Sequence, residues 1–238
     1  MDDRRAYRSL VAPAGLVSYR VFVKETDLLI STRTNLRRKA IRLVHKYRDT
    51  IEEYISLYPD FLTSLVPLPP DERAPRIISA MLTASRRAGV GPMAAIAGAI
   101  AEFVGRELEE FSGDVILENG GDIYLNSRVD RLVGIYAGTS PLSGKISLNV
   151  RAGQMPLGVC TSSGTVGHSL SFGNTDAVVV LSPDTALADA AATAVGNCVR
   201  KPADIIKGLE RAQAIAGVSG VVIIQGDQMA VWGDVNIA

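Results

Sequence analysis

The run Met93-Ala94-Ala95-Ile96-Ala97-Gly98-Ala99-Ile100-Ala101, inside the apolar stretch 90–104, most limits what this chain can fold into. It falls short of the roughly 20 residues a membrane-spanning helix needs. A helix apolar on all sides must instead be enclosed on more than one face by sheet or by other helices. The stretch therefore reads as the central buried helix of a layered core, starting near Gly91-Pro92 with proline at a tolerated first-turn position and running to about Phe111.

The flanking pattern says what encloses it. Residues 15–24 and 28–34 alternate and are separated by Glu25-Thr26-Asp27, which predicts an N-terminal hairpin. Leu36, Ala40, Leu43, Val44, Tyr47, Ile51 and Ile55 keep helical spacing over 35–57, and Arg37, Arg38, Lys39, Arg42, Lys46 and Arg48 form a solvated face. Five prolines make 59–75 a loop ahead of a second helix over 76–88.

After Ser112-Gly113 short strands are predicted at 114–118, 122–126, 132–137, 145–150, 158–161 and 175–181. Helices return at 185–199 and from Pro202 to about 214, and 218–225 with 228–233 forms a closing hairpin. This order implies an α+β fold, a layered antiparallel sheet packed with helices, in one domain over 1–238 that contains the Pro-rich 59–75 loop. No dinucleotide fingerprint follows a first strand, and no P-loop motif occurs.

At 238 residues and 47% hydrophobic, the chain can bury a sizeable core. Its 25 basic and 25 acidic residues cancel, so neither nucleic acid nor an anionic membrane is favoured as a partner. Two cysteines, Cys160 and Cys198, are too few for a disulfide framework or a thiolate metal cage and point to a reducing compartment. Met1-Asp2-Asp3-Arg4-Arg5 leads into mixed polar sequence without a signal-peptide pattern, so a cytoplasmic location is expected. A helix-rich surface and a short closing hairpin suit a homodimer.

Candidate chemistry gathers in three segments. Ala188-Asp189-Ala190-Ala191-Ala192-Thr193-Ala194 puts a carboxylate and a hydroxyl on one face of an apolar helix, a pattern that suits Mg²⁺ or a tight hydrogen-bonding partner. Glu118-Asn119-Gly120-Gly121-Asp122-Ile123 and Thr161-Ser162-Ser163-Gly164-Thr165-Val166-Gly167-His168-Ser169 combine glycines, which admit close backbone approach, with hydroxyls that can bond phosphate or ribose. Together they look like a site for a small-molecule nucleotide.

In order and spacing, Asn119-Gly120-Gly121-Asp122, then Ser163-Gly164 with His168, then Ser182-Pro183-Asp184 and the Ala188–Ala194 helix resemble the ApbE family. The strings at 90–98 and 158–169 are similar to a cytosolic branch of ApbE-like proteins. The resemblance, from about Gly91 to the C-terminus, implies a T-shaped α+β fold and Mg²⁺-dependent chemistry that splits FAD and transfers FMN to a Thr or Ser of a target protein. It also implies that Asp189, Thr193 and a carbonyl near Ala97 hold the metal. Asn119, Gly120, Gly121, Asp122, Thr161, Ser162, Ser163, Gly164 and Thr165 would line the flavin site, with His168 as the active-site histidine.

Two departures bear on activity. Ser169-Leu170-Ser171-Phe172-Gly173 follows His168 where the family carries Asp-Pro and then Thr-Gly, and Ala97-Gly98 stands where transferases carry Lys-Gly. Two other functions stay open. Cys160 could be a nucleophile in cytosolic sulfur metabolism if its pKa were lowered, or the fold could serve as a non-catalytic ligand-binding or scaffold protein.

Overall fold

The computed structural model of the protein describes residues 13–164 and 173–238. Eight strands form one antiparallel sheet in the order β1 (Val17–Val23), β2 (Thr26–Thr32), β3 (Val115–Asn119), β4 (Asp122–Asn126), β7 (Leu157–Ser162), β8 (Ala177–Ser182), β9 (Gly220–Gln225) and β10 (Gln228–Gly233). Between β4 and β7 the chain leaves the sheet to build a separate hairpin of β5 (Arg131–Gly134) and β6 (Ser147–Val150). The helices are α1 (Arg37–Leu57), α2 (Asp60–Thr63), α3 (Arg76–Ala88), α4 (Ile96–Glu109), α5 (Thr185–Gly196) and α6 (Ile205–Gln213).

Two apolar layers hold these elements together. On one sheet face Tyr19, Val21, Ile30, Leu117, Tyr124, Cys160, Val180 and Ile223 pack with the helices. On the other, Ile116, Ile123, Leu125, Val159, Val179 and Val222 pack under Val133, Leu148 and Val150 of the small hairpin. Central strands covered on both faces lose alternation, as Ala-Val-Val-Val-Leu-Ser in β8 shows, because period-2 patterning needs one wet face. At the edge β1 keeps it: Tyr19, Val21 and Val23 are buried while Ser18, Arg20 and Phe22 are exposed.

Element boundaries follow local chemistry. In the first hairpin the turn is Lys24-Glu25, with Lys24 at φ +50°, so Thr26 and Asp27 belong to β2, where Asp27 takes a two-pronged ion pair from Arg20 at 2.6 Å. The predicted third helix opens instead as a 3-10 turn, Pro92–Ala95, and becomes α-helical at Ile96. Likewise Pro202–Asp204 is a 3-10 turn ahead of α6. The helix predicted over 185–199 stops at Gly196, since Val199 turns back to accept a hydrogen bond from the Asn174 N–H. Inside the Pro-rich loop, α2 anchors itself through the fully buried Phe61, which meets the Tyr54 ring edge-on.

No single helix among the described residues is long and apolar enough to cross a membrane. Two of the α1 cations are paired: Lys46 with Glu107, and Arg48 with Glu25 and Glu52. Asp114, just before β3, ties three strand ends together. One of its oxygens accepts from the Ser127 hydroxyl and the Arg128 N–H, and the other from the Arg33 guanidinium. Burial alone would raise this carboxyl's pKa, but the Arg128 N–H, Arg33 and Ser127 outweigh it and hold the value at about 2.

A depressed folded-state pKa contributes stability that is present above the unfolded value and lost as pH falls through the folded one. Asp114→Asn is therefore expected to cost about 2 kcal/mol at pH 7, discounted for the half-exposed Arg33, or a Tm loss of roughly 4–8 °C. Thermal melts should show the deficit closing between about pH 4 and pH 2, and a deficit constant with pH would contradict this assignment.

Candidate functional site

The β3–β4 turn is built by its sequence. Asn119 faces Asp122 across a two-residue loop in which Gly120 and Gly121 hold φ +68° and +109°. A loop with positive φ at both central positions matches the right-handed strand twist and favours glycine. The Gly121 N–H donates to Glu118 Oε1 at 2.8 Å, which fixes the turn from the opposite sheet face. On the helix face, the Asn119 side-chain amide donates to the Ala97 carbonyl at 3.1 Å.

Helices α4 and α5 meet beside that turn and cap one another. Asp189 Oδ2, from α5, accepts the Gly98 N–H in the first turn of α4 at 2.8 Å. In return Glu102 Oε2, from α4, accepts the Thr185 and Ala186 N–H groups at the start of α5, at 2.8 and 3.4 Å. Asp184 supplies the next acceptor, to the Leu187 N–H. Such approach requires glycine at 98, because a Cβ there would lie 2.4 Å from the Thr185 carbonyl oxygen.

Three acidic or thiol groups converge at this junction. Asp122 is buried, and its Oδ1 has no hydrogen-bond partner among the described residues. Its carboxyl is pushed well above the usual range by burial and by the charge of Asp189, with Glu118 adding to the effect and the Cys160 thiol and Thr161 N–H opposing it. Burial also raises Asp189, against the lowering effect of the Gly98 and Ala97 N–H groups. Neither aspartate has an ion-pair partner among the described residues, and no group of three or more His, Cys, Asp or Glu side chains there is arranged to hold a metal.

Those facts define the donor set. Two carboxyl groups, Asp122 with an orphaned oxygen and its ionisation opposed by burial and by the Asp189 charge, sit beside a backbone carbonyl oriented by Asn119. A divalent cation that keeps several waters needs only one or two carboxylates, so the residues fit Mg²⁺. Thr193 lies one turn beyond Asp189, half-buried, its carbonyl accepting the Asn197 N–H.

Cys160 is fully buried on β7, with its sulfur 3.5 Å from the Thr185 carbonyl. Burial, together with the charges of Asp122 and Asp189, pushes its thiol well above the usual value, so it serves as a proton-bearing donor rather than a thiolate. Ser162 is buried with a hydroxyl that has no partner among the described residues, and Ser163 and Gly164 both donate to the Thr175 carbonyl. Thr165 and His168 lie outside the described residues. Cys198, half-buried, donates to the Ala194 carbonyl. The sequence reading missed Glu102, although a carboxylate inside an apolar helix is the same signal that singled out Asp189.

Comparison with known proteins adds to this geometry. A family model described as AbpE bacteria matches residues 8–227. A UPF0280 protein of Methanococcus vannielii is 44% identical over 214 residues, covering 87% of each chain. Another, from Methanothrix thermoacetophila, is 45% identical over 193 residues and covers 79% of each. Among solved structures, the apo flavinyl transferase ApbE of Pseudomonas stutzeri superposes with a TM-score of 0.57 at 12% identity, covering 92% of this chain and 94% of its own. The ApbE protein of Thermotoga maritima gives 0.53 at 10% identity, with 90% and 96% covered. At such identity these two likenesses show the fold, an ApbE-like arrangement of helices on a large antiparallel sheet.

The role of Asp189 as an acceptor for the α4 N-terminus can be separated from its charge. In chelated buffer at pH 8, Asp189→Ala is expected to lose about 1–2 kcal/mol with the cap, whereas Asp189→Asn, which retains an acceptor oxygen, should lose less than half of that. Urea denaturation reads both. Equal losses would mean that the charge, rather than the hydrogen bond, joins the helices.

Proposed function

Since the chain belongs to the family described as AbpE bacteria, we propose that it binds a flavin nucleotide, FAD or FMN, together with Mg²⁺ where β3, β4, β7, α4 and α5 meet. The observation that carries this reading is the pairing of buried Asp122 with half-buried Asp189, which lacks a protein cation among the described residues, beside a carbonyl held in place by Asn119. The names of the Pseudomonas stutzeri and Vibrio cholerae structures, flavinyl and flavin transferase, supply the ligand class. Asp189, Asp122 and the Ala97 carbonyl would hold the ion, with Thr193 on the same helix face. When bound, Mg²⁺ supplies charge neutralisation to a dinucleotide's pyrophosphate.

The chain's own groups prepare that site. Gly98 N–H orients Asp189, Asn119 orients the Ala97 carbonyl, and the Cys160 thiol, which donates to the Thr185 carbonyl, sits beside Asp122. Each group is therefore set by backbone or neighbouring side chains before a ligand arrives, which lowers the ordering cost of binding. The positive-φ glycines of the 120–121 loop leave backbone unshielded on the ligand side. A protonated, buried Cys160 favours this reading over thiol chemistry.

Titration of FAD against the purified protein, followed by fluorescence anisotropy in Mg²⁺ and in EDTA, tests the proposal. Affinity is expected to be at least about tenfold higher with Mg²⁺, and Asp189→Asn should abolish that difference while remaining folded, with a cooperative melt. Equal binding in EDTA, or none in either buffer, would overturn it. Chromatography of the same mixtures for AMP and FMN then distinguishes pyrophosphate cleavage and FMN transfer from binding alone.

A further inference from the structure

A second constellation lies at the opposite end of the β3–β4 hairpin. There Arg33 follows β2, Asp114 precedes β3, Arg128 follows β4 and Arg131 opens β5, around a cleft of about 380 Å³ walled by the 14–16 backbone and Val129. We propose that this cleft is an anion site that takes a phosphate group, free or as the ester of a small molecule, on Arg128 and Arg33.

Charge balance is the first argument. Three guanidiniums face one carboxylate, Asp114, which leaves a surplus of two positive charges matching a phosphate dianion. Asp114 cannot serve further, since the Ser127 hydroxyl and Arg128 N–H occupy one oxygen at 2.8 Å each and the Arg33 Nε and its terminal nitrogen occupy the other at 2.6 Å each. Arg131 is committed too. Its side chain is 10% exposed, with Nε on the Ser127 hydroxyl at 2.9 Å and a terminal nitrogen on the Ala14 carbonyl.

That leaves Arg128. Its backbone N–H is bound to Asp114, which fixes where the side chain starts, yet its guanidinium has no hydrogen bond or ion pair among the described residues. It lies flat against Gly113, where a Cβ would come within 2.8 Å of a terminal nitrogen. A planar guanidinium held on its face and free along its edge suits two-pronged recognition of phosphate oxygens. Arg33, gripped at Nε and one terminal nitrogen, still offers its remaining nitrogen.

Isothermal titration with inorganic phosphate, against chloride at matched ionic strength, tests the assignment on the full chain. Phosphate is expected to bind the parent, with affinity about tenfold lower in Arg128→Gln. Gly113→Ala keeps every charge and displaces only the flexible end of Arg128, so it should also weaken binding; full affinity there would mean a diffuse charge effect and overturn the site. Asp189→Asn should bind phosphate like the parent. Unchanged affinity in Arg128→Gln, or an equal loss in Asp189→Asn, would overturn the proposal, the second by placing the phosphate at the flavin site.

Discussion

The exchange of carboxylates between α4 and α5 is the constraint on which the rest of the structure depends. Each helix begins with N–H groups that its own turns cannot satisfy, and burying them unpaired would cost about 1–3 kcal/mol apiece. Glu102 and Asp189 answer that need reciprocally, each from the other helix. The solution works only at close range, and Gly98 provides the range by bringing its backbone against the Thr185 carbonyl. Sliding either helix by a turn would break both caps at once.

Fixing α4 against α5 fixes what they present to the sheet. Asp189 reaches the α4 N-terminus on the sheet side, where Asp122 and Cys160 point up from β4 and β7. Two carboxyl groups in one desolvated place are costly when ionised, and the cost appears as raised pKa values on both. A fold that only needed capping could have used the neutral amide of asparagine at either position. On the proposed reading two acids suit a cation, because positive charge between them would offset the cost of ionising both.

Much of this was legible in the chain, and what was not has physical reasons. α3, β4 and β10 fall where the sequence places them because Pro75, Gly121 and Gly226, with Gly89 and Gly233 closing two of them, punctuate their ends. Segments 119–122 and 188–194 stood out by a glycine pair and by a carboxylate among alanines, and the structure brings Asn119, Asp122 and Asp189 to one junction. Glu102 carried the same signal as Asp189, a carboxylate inside an apolar helix, but its partners are backbone groups of a helix 83 residues away, so nothing nearby in the chain showed what it caps. Cys160 read equally well as nucleophile or core residue until its position on a central, doubly covered strand placed it in the interior.

Strand register explains why the arginine cleft had no sequence signature. Arg33, Asp114 and Ser127 are far apart along the chain, yet antiparallel pairing of Thr32 with Val115 and of Val115 with Asn126 puts the residues just beyond those pairs side by side. The same pairing carries Asn119 and Asp122 to the other end of the hairpin, roughly 17 Å away at the rise of an extended strand. One hairpin of two five-residue strands thus separates the carboxylate pair from the guanidinium cluster. Were the two clusters adjacent, they would pair with each other and neither would be left for a ligand; the length of β3 and β4 keeps both charges unspent.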